Sequence, residues 1–440
     1  MNIICIGSET MKVAILTMFN GLSNTYSLVN VVEDQLKMLL NDRVKVKMLV
    51  SEHCPDTERK GIFKDSNIEW IKIVNSKDGK MFHWVTYNDI NTTLDKDFYM
   101  QAELIKNDFV KYLSDVDVCI MHDIMYQGVH LIHNVAIRNA QKELPNVKFL
   151  SFTHSAPVKH KSIEYPINLM YESMPNTTFI YPTSCGLNAL SLQYNTDISN
   201  CKAINNSIDI TNNMSDEILK IKEYNNSIFE RDILIVYPGR LTMAKKFHEI
   251  TEFLSYIKKY CNKSVGVIFA DFPSADIPSD TYKFIIKDIG YKNGLLENDI
   301  IFTSDCGFIN GIKRETVFDL FTLSNLFICP SFSESFGLTV IEAASRGNFI
   351  VLNEAVPALE EIGKNIDAYF MRWDAKNFTF DSFEHYVPNK RLYYIKNAQE
   401  IVNKMDNNPV IKAKTYARIK YSNEWIYKNQ LKPLLKNILQ

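Results

Sequence analysis

The stretch PSFSESFGLTVIEAASRG, Pro330 to Gly347, follows the apolar run NLFICPS and leads through a glycine into a second apolar segment. The first run is short and almost wholly apolar, which is typical of a strand that is covered on both faces. The segment after Gly337 is expected to be a helix that places Glu342 on the same face as Leu338. The stretch therefore predicts a strand, a loop that carries Glu334, and a helix, which is the repeating unit of a parallel α/β sheet.

The same alternation of short apolar runs and helical segments extends over most of the chain. It begins near Met11 with VAILTMF, lapses in a polar, Asn-rich stretch after Asp209, and restarts with ILIVYPGR. We expect an N-terminal Rossmann-like domain over 1–210, a linker over 211–231 and a C-terminal Rossmann-like domain over 232–422. A last helix over 423–440 is expected to pack back on the first domain. The predicted class is α/β, with two doubly wound parallel-sheet domains facing across a cleft.

Composition sets limits on the class of protein. The chain has 440 residues, 46% hydrophobic content and a formal net charge of −2, so it can bury a large core and is not a polycation. Its eight cysteines contain no C-x-x-C pair, which is typical of reduced thiols in a cytoplasmic protein. No run of eighteen apolar residues occurs, and we see no strong membrane signal. These features predict a soluble cytoplasmic protein and argue against an obligate nucleic-acid binder.

Charged residues follow two of the predicted strands of the second domain. In VYPGRLTMAKK, Gly239 allows a tight turn, after which come Arg240 and Lys245. A planar guanidinium and an ammonium at a strand end suit a diphosphate, although two solvated surface cations are the alternative. Gly337 precedes a helix whose first N–H groups can contact phosphate oxygens. The glutamates would then accept hydrogen bonds from sugar hydroxyls, and the alternative for Glu342 is a solvent-facing position on its helix.

These motifs resemble those of a known family. GRLTMAKK and SESFGLTVIEAASRG are similar to the paired signatures of GT-B nucleotide-sugar glycosyltransferases, specifically the retaining group called family 4. The glutamates match its E-x7-E element, and INNSID resembles the segment that ends the family's first domain. YPTSCGLNAL and YSNEWIYKNQL resemble its last strand-helix unit before the hinge and its closing crossover helix. The resemblance is dense from Tyr237 to Gly363 and thin before Asp209.

The resemblance implies roles for individual residues. It assigns Arg240 and Lys245 to the donor diphosphate, Glu342 to the ribose hydroxyls and Glu334 to the transferred sugar. It places His154 near the anomeric carbon. The other residues that it implies in donor binding are Gly21, Gly239, Phe336, Gly337, Leu338 and Thr339. The sequence departs from the family pattern at two points, because Lys246 stands where glycine is common and the loop FNGLSN has one glycine rather than a pair.

The implied function is transfer of a hexose, with retention, from a nucleotide-diphosphate sugar to a hydroxyl acceptor. UDP-glucose is the expected donor from its frequency in the family, and retention fits front-face displacement, in which the departing phosphate helps to take the acceptor proton. The first domain would bind the acceptor and the second the donor. Neither a cofactor nor a metal is expected, because fixed cations and a helix N-terminus can stabilise the leaving group. The acceptor stays open among a glycan, a lipid, a protein and a modified DNA base, and so does the oligomeric state.

Other functions compete with this one. The alternatives are glycosylation of modified DNA bases by a viral enzyme, an epimerase or hydrolase acting on the same nucleotide sugar, and a non-catalytic sugar-nucleotide-binding module. The presence of both cations and both glutamates argues against the binding module. Lys159, His160 and Lys161 could contact an acceptor phosphate or form a solvated loop. His130 and His133, three residues apart on a predicted helix, are expected to have a packing or surface role rather than to bind metal.

Overall fold

A computed structural model describes residues 5–6, 9–77, 80–81, 96–158, 164–374 and 389–440. In the described residues the chain divides into two compact units, one formed by Met1–Asp209 with Tyr421–Gln440 and the other by Ile210–Lys420. Lys159, His160 and Lys161 lie outside the described residues. The described strands of the first unit are β1 Cys5–Ile6, β2 Glu9–Thr10, β3 Lys12–Leu16, β4 Lys45–Ser51, β5 Ile68–Ile73, β6 Ser76–Lys77, β7 Lys80–Met81, β8 Val118–His122, β9 Lys148–Phe152, β10 Thr177–Tyr181 and β11 Cys201–Ala203.

The first unit contains a seven-stranded parallel sheet in the order β11-β10-β9-β8-β3-β4-β5. Its strands are covered on both faces, because Ala14 and Leu16 of β3 lie in one apolar cluster while Val13 and Ile15 lie in another. The helices that precede the second unit are α1 Ser27–Asn41, α2 Lys96–Leu113, α3 Leu131–Glu143 and α4 Leu187–Gln193. The strand order reverses between β3 and β8, and the carboxyl ends of these strands are where a doubly wound sheet binds ligands.

The second unit contains a six-stranded parallel sheet in the order β14-β13-β12-β15-β16-β17. Its strands are β12 Ile233–Arg240, β13 Val265–Phe272, β14 Ile300–Phe302, β15 Leu326–Cys329, β16 Phe349–Asn353 and β17 Tyr369–Met371. Its helices are α5 Asp216–Tyr224, α6 Phe247–Cys261, α7 Ser279–Lys292, α8 Arg314–Leu323, α9 Leu338–Ser345, α10 Pro357–Asn365, α11 Lys390–Asn407 and α12 Pro409–Lys420. The strand order reverses between β12 and β15. The predicted class, two Rossmann-like doubly wound parallel-sheet domains, is confirmed.

The segment 211–231 differs from the predicted linker. It forms α5 and a short turn, and it buries Ile218, Ile221, Ile228 and Phe229 in the core of the second unit. The apolar residues are few and lie within a polar, Asn-rich background, which is why the composition indicated a linker. This segment is a packed part of the second unit.

The chain returns to the first unit at its C-terminal end. The helical segments are α13 Asn423–Ile426, a π-helical turn Tyr427–Leu431 and α14 Lys432–Ile438. Ile426, Leu431 and Leu435 are buried in the cluster that also contains Val13 and Ile15 of the first sheet. No helix in the described part of the chain is both long and apolar enough to cross a membrane.

Candidate active site

The predicted donor residues follow β12 and β15, the two neighbouring strands at which the order of the second sheet reverses. Gly239 and Arg240 are the last residues of β12, and the side chain of Arg240 is exposed. Thr242 then caps a short turn, because its hydroxyl oxygen accepts a hydrogen bond from the N–H of Ala244 at 3.1 Å. This turn brings Lys245 to the carboxyl edge of the sheet.

Lys246 has a left-handed backbone conformation, with φ of 53°. Glycine adopts this conformation at little cost, whereas a side chain with a Cβ is disfavoured there. This explains why glycine suits the position after the predicted phosphate-binding lysine. The side chain of Lys246 is 9% exposed and its ammonium donates to the backbone carbonyl of Asp374, and burial lowers its pKa. Lys246 therefore stabilises the loop rather than adding an exposed cation beside Lys245.

The loops after β12 and β15 are joined by hydrogen bonds. The N–H of Phe332 donates to the carbonyl of Ala244 at 2.8 Å. The buried hydroxyl of Tyr237 lies 3.0 Å from both the carbonyl of Lys245 and the hydroxyl of Ser331. Burial raises the pKa of this phenol well above its usual value, so it stays a neutral donor. The Tyr237 hydroxyl thus links the two loops and fixes their arrangement.

Lys245 and Glu334 form an ion pair between these loops. The ammonium of Lys245 donates to Oε1 of Glu334, and the side chains are 29% and 16% exposed. Each charge is partly shielded from water, so the attraction is stronger than that of an exposed surface pair. The structure thus brings together the residues that the resemblance assigned to the diphosphate and to the transferred sugar.

Gly337 lies directly before α9 and has φ of 91°, which is left-handed. A Cβ at this position would lie 3.1 Å from Leu359 and 3.2 Å from Val340, so both the backbone and the packing favour glycine. Glycine has no side chain with which to cap the helix, so the N–H groups of the first turn of α9 can face a ligand. Phe336 and Leu338, on either side, are 53% and 63% exposed.

Glu342 lies farther along α9 and is paired with Arg314. Nε and Nη2 of Arg314 donate to Oε1 of Glu342 at 2.8 and 2.7 Å. The carboxylate side chain is 13% exposed whereas the guanidinium side chain is 67% exposed. Glu342 is therefore not a solvent-facing helix residue. Sequence reasoning missed Arg314, because the contact joins the start of α8 to α9 across 28 positions and no local pattern indicates it.

A second group that sequence reasoning missed lies at the carboxyl end of β13, which pairs with β12. Asp271, opposite Gly239 in the register, is 1% exposed and accepts hydrogen bonds from the N–H and hydroxyl of Ser304. Lys283 and Lys287 donate to Asp305 at 2.7 and 3.0 Å. These contacts join the turn after β14 to the end of β13 and to α7. The only local signal was an aspartate at the end of an apolar run, VGVIFAD.

In the first unit, His154 follows β9 and belongs to a chain of hydrogen bonds. Its Nε2 lies 2.9 Å from Nδ1 of His122, and Nε2 of His122 lies 3.0 Å from Oε1 of Gln35. An amide oxygen only accepts, so His122 carries its proton on Nε2 and accepts at Nδ1 from the Nε2–H of His154. Burial lowers the pKa of both histidines, which favours the neutral rings. Nδ1 of neutral His154 is then a hydrogen-bond acceptor.

The loop after β3 carries Gly21. The N–H of Leu22 donates to Glu58 at 2.6 Å, and a Cβ on Gly21 would lie 3.0 Å from the same carboxylate. Glycine thus permits a close approach of Glu58 to the backbone. Gly21 and His154 both belong to the first unit.

His130 and His133 have the packing role that the sequence favoured. Their Nδ1 atoms lie 3.1 Å apart, and Nε2 of buried His133 lies 3.0 Å from Oδ1 of Asn75. Within the described ranges, no cluster of three or more His, Cys, Asp or Glu side chains could hold a metal ion.

Residues 220–375 match the family model described as Glycosyl transferases group 1. No curated protein matches the sequence significantly. Similar solved structures include a glycosyltransferase from Rickettsia africae (16% identity, 98% of this chain and 99% of that chain, TM-score 0.36). Another is HepE of Anabaena in complex with UDP-glucose (14% identity, 97% of this chain and 100% of that chain, TM-score 0.35). A third is the sucrose-phosphate synthase of Thermosynechococcus elongatus (13% identity, 97% of this chain and 99% of that chain, TM-score 0.36).

The family match runs from within α5 to beyond β17, which includes every second-unit residue that was predicted to bind the donor. Together with the two doubly wound parallel sheets, it fits a two-domain, Rossmann-like fold of the GT-B type. The chain thus carries, over residues 220–375, a region similar to glycosyl transferases group 1, and this region supports a glycosyltransferase.

Proposed function

We propose that the protein is a retaining glycosyltransferase that transfers a hexose from a nucleotide-diphosphate sugar to a hydroxyl acceptor without a metal. UDP-glucose is the first donor to test. The observation that supports this most is the contact of Lys245 with Glu334 where the strand order of the second sheet reverses. A cation for the leaving diphosphate and a carboxylate for sugar hydroxyls thereby occupy one edge of the sheet.

The proposed chemistry uses this charge arrangement. Breaking the bond between the sugar and phosphate places negative charge on the nucleoside diphosphate and positive charge on the anomeric carbon. Lys245, Arg240 and the N-terminus of α9 would stabilise the first charge. Glu334 would accept hydrogen bonds from the transferred sugar, and Glu342 would accept them from the ribose.

Two parts of the proposal come from the resemblance. His154 is proposed to contact the transferred sugar, and the hydrogen-bond chain would leave its Nδ1 to do so. Retention is proposed to occur by front-face displacement, with the departing phosphate taking the acceptor proton. The cytoplasm is the proposed compartment on different grounds, because the free thiols of Cys119, Cys201 and Cys329 suit it.

The test is a panel of nucleotide sugars incubated with the purified protein and a mixture of acceptors. Release of the nucleoside diphosphate is the readout, measured with and without exhaustive EDTA treatment. Acceptor-dependent release that survives EDTA is expected, and Lys245→Ala should lower turnover about 30- to 1000-fold, or about 2–4 kcal/mol. Near-normal turnover in this variant would overturn the assignment of the diphosphate to Lys245.

Three other results would change the assignment. Release of free sugar or an isomerised donor without any acceptor would indicate a hydrolase or an epimerase. Donor binding without turnover of any nucleotide sugar would indicate a binding module. Loss of activity in EDTA that Mg²⁺ or Mn²⁺ restores would show that a metal neutralises the leaving group.

A further inference from the structure

The first unit has a pocket of its own, of about 290 Å³, at the ends of β3 and β8. These are the strands between which the order of the first sheet reverses, so the pocket lies where a doubly wound sheet binds ligands. Its polar lining comes from Thr17, Asn20, Tyr26, Asp123, Gln127 and His130. The second-unit residues assigned to the donor do not contribute to it.

The backbone around this pocket is strained at two positions. Met18 has φ of 54° and Asp123 has φ of 59°, and both residues line the pocket. Neither is glycine, so each conformation costs free energy that the surrounding packing must offset. Several hydrogen bonds hold Asp123. Its N–H donates to the carbonyl of Phe152 and its Oδ1 accepts from the N–H of His154, both at 3.0 Å, and its carbonyl accepts from the N–H of Gln127, also at 3.0 Å. Strain of this kind is concentrated at binding sites.

The charge of the pocket limits what it can bind. Among its described lining residues, Asp123 is the only acidic one, and no lysine or arginine is present. Asp123 as a whole is 6% exposed. Burial lowers the pKa of His130 to about 4, so this imidazole is neutral near pH 7. Among the described lining residues, a phosphate group in the pocket would face a carboxylate without a compensating cation, which is unfavourable.

The remaining lining suits a sugar ring. Asp123, Gln127 and Asn20 offer carboxylate and amide groups for hydroxyls, and the ring of Tyr26, which is 51% exposed, offers an apolar face. Phe19 holds this ring from its edge, with 6.0 Å between the ring centroids. A volume near 290 Å³ corresponds to roughly ten water molecules, which is comparable with one hexose and is at the small end of ligand pockets.

We propose that this pocket binds an uncharged sugar ring of the acceptor, and that the enzyme discriminates against acceptors with a phosphate on that ring. This inference rests on the proposed function in one respect, because only a glycosyltransferase would use the bound sugar as its acceptor. The pocket's preference for a neutral sugar ring can be measured without any donor.

The binding test uses saturation-transfer NMR on the full chain with methyl β-glucoside and glucose 6-phosphate as probes. We expect signals from the methyl glucoside, at least tenfold weaker binding of the phosphorylated sugar, and loss of the glucoside signal in Gln127→Ala. Asp123→Asn tests the charge, since asparagine tolerates the left-handed conformation. It should reduce the discrimination against the phosphate to less than about threefold, and circular dichroism would confirm that both variants fold.

The outcomes separate this inference from the proposed function. Equal or tighter binding of glucose 6-phosphate would overturn the inference, as would glucoside binding that Gln127→Ala leaves unchanged. Transfer to phosphorylated sugars at rates above those for neutral ones would also overturn it, while leaving the glycosyltransferase intact. Conversely, specific glucoside binding in a protein that turns over no nucleotide sugar would support the pocket and refute the proposed function.

Discussion

The ion pair between Lys245 and Glu334 predicts an unusual response to Glu334→Gln. If the donor diphosphate takes over Lys245, binding of a nucleoside diphosphate must first separate the ammonium from the carboxylate. Replacing the carboxylate by an amide removes the negative charge and keeps an oxygen that can accept a hydrogen bond. We therefore expect Glu334→Gln to bind the nucleoside diphosphate more tightly and to transfer sugar more slowly.

The size of the effect follows from the burial of the pair. Exposed ion pairs contribute about 0–1 kcal/mol, and hydrogen bonds to charged groups contribute about 1.5–3 kcal/mol. With side chains 29% and 16% exposed, Lys245 and Glu334 lie between these cases. Because glutamine retains part of the interaction, we expect a gain of about 1 kcal/mol, which is about fivefold in affinity.

Calorimetric titration with UDP measures this change, and the double variant isolates its cause. Lys245→Ala alone should weaken binding, and adding Glu334→Gln to it should give a smaller gain than in the wild type, because the gain that remains without the ammonium comes only from removing the repulsion between the carboxylate and the diphosphate. Asp288→Asn is a matched control, since Asp288 is paired with Lys292 within α7 at 2.7 Å and away from these loops. Weaker binding in Glu334→Gln, or the same gain without Lys245, would refute the reasoning.

Three further predictions test other parts of the site. Glu342→Gln should weaken binding of the nucleoside diphosphate by about 1–3 kcal/mol in the same titration, because a charge-assisted hydrogen bond to the ribose is lost; unchanged affinity would exclude the ribose role. Gly337→Ala should lower the free energy of unfolding by about 1–2 kcal/mol in urea titrations, because alanine is disfavoured at φ of 91°; an unchanged midpoint and slope would contradict this. In Gln35→Leu, two-bond ¹H–¹⁵N NMR spectra of His154 should show a mixture of tautomers, because His122 no longer has a fixed acceptor for its proton. The wild type and Gln35→Glu should show the Nε2–H form of His154. A single, unchanged tautomer in Gln35→Leu would refute the hydrogen-bond chain.

The two sheets could be predicted because their strands are nearly continuous apolar runs. All five residues of β8 are buried, as are all four of β15, and this two-sided burial is what the runs indicated. Gly337 could also be placed, because a glycine between a loop and an apolar helical segment indicates a turn into the helix. Local pattern and fold agree at these positions.

Other features depend on contacts between distant parts of the chain. Lys246 has a left-handed conformation, and its ammonium donates a hydrogen bond to the carbonyl of Asp374. A lysine in the sequence indicates neither the conformation nor this distant partner. The pairing of Arg314 with Glu342 depends on how α8 packs beside α9. The helix α5 is stabilised by burying Ile218 and Ile221 in the core of the second unit, although its own sequence is mostly polar.

The roles of the predicted site residues are still predictions, and the central one concerns the edge of the second sheet. The most direct measurement is a calorimetric titration of UDP into the wild-type protein and into the Arg240→Ala, Lys245→Ala double variant. We predict one binding site per chain in the wild type and at least a hundredfold loss of affinity in the variant, with its fold unchanged by circular dichroism. UDP binding of equal strength in both proteins would contradict the assignment of this edge to the donor diphosphate.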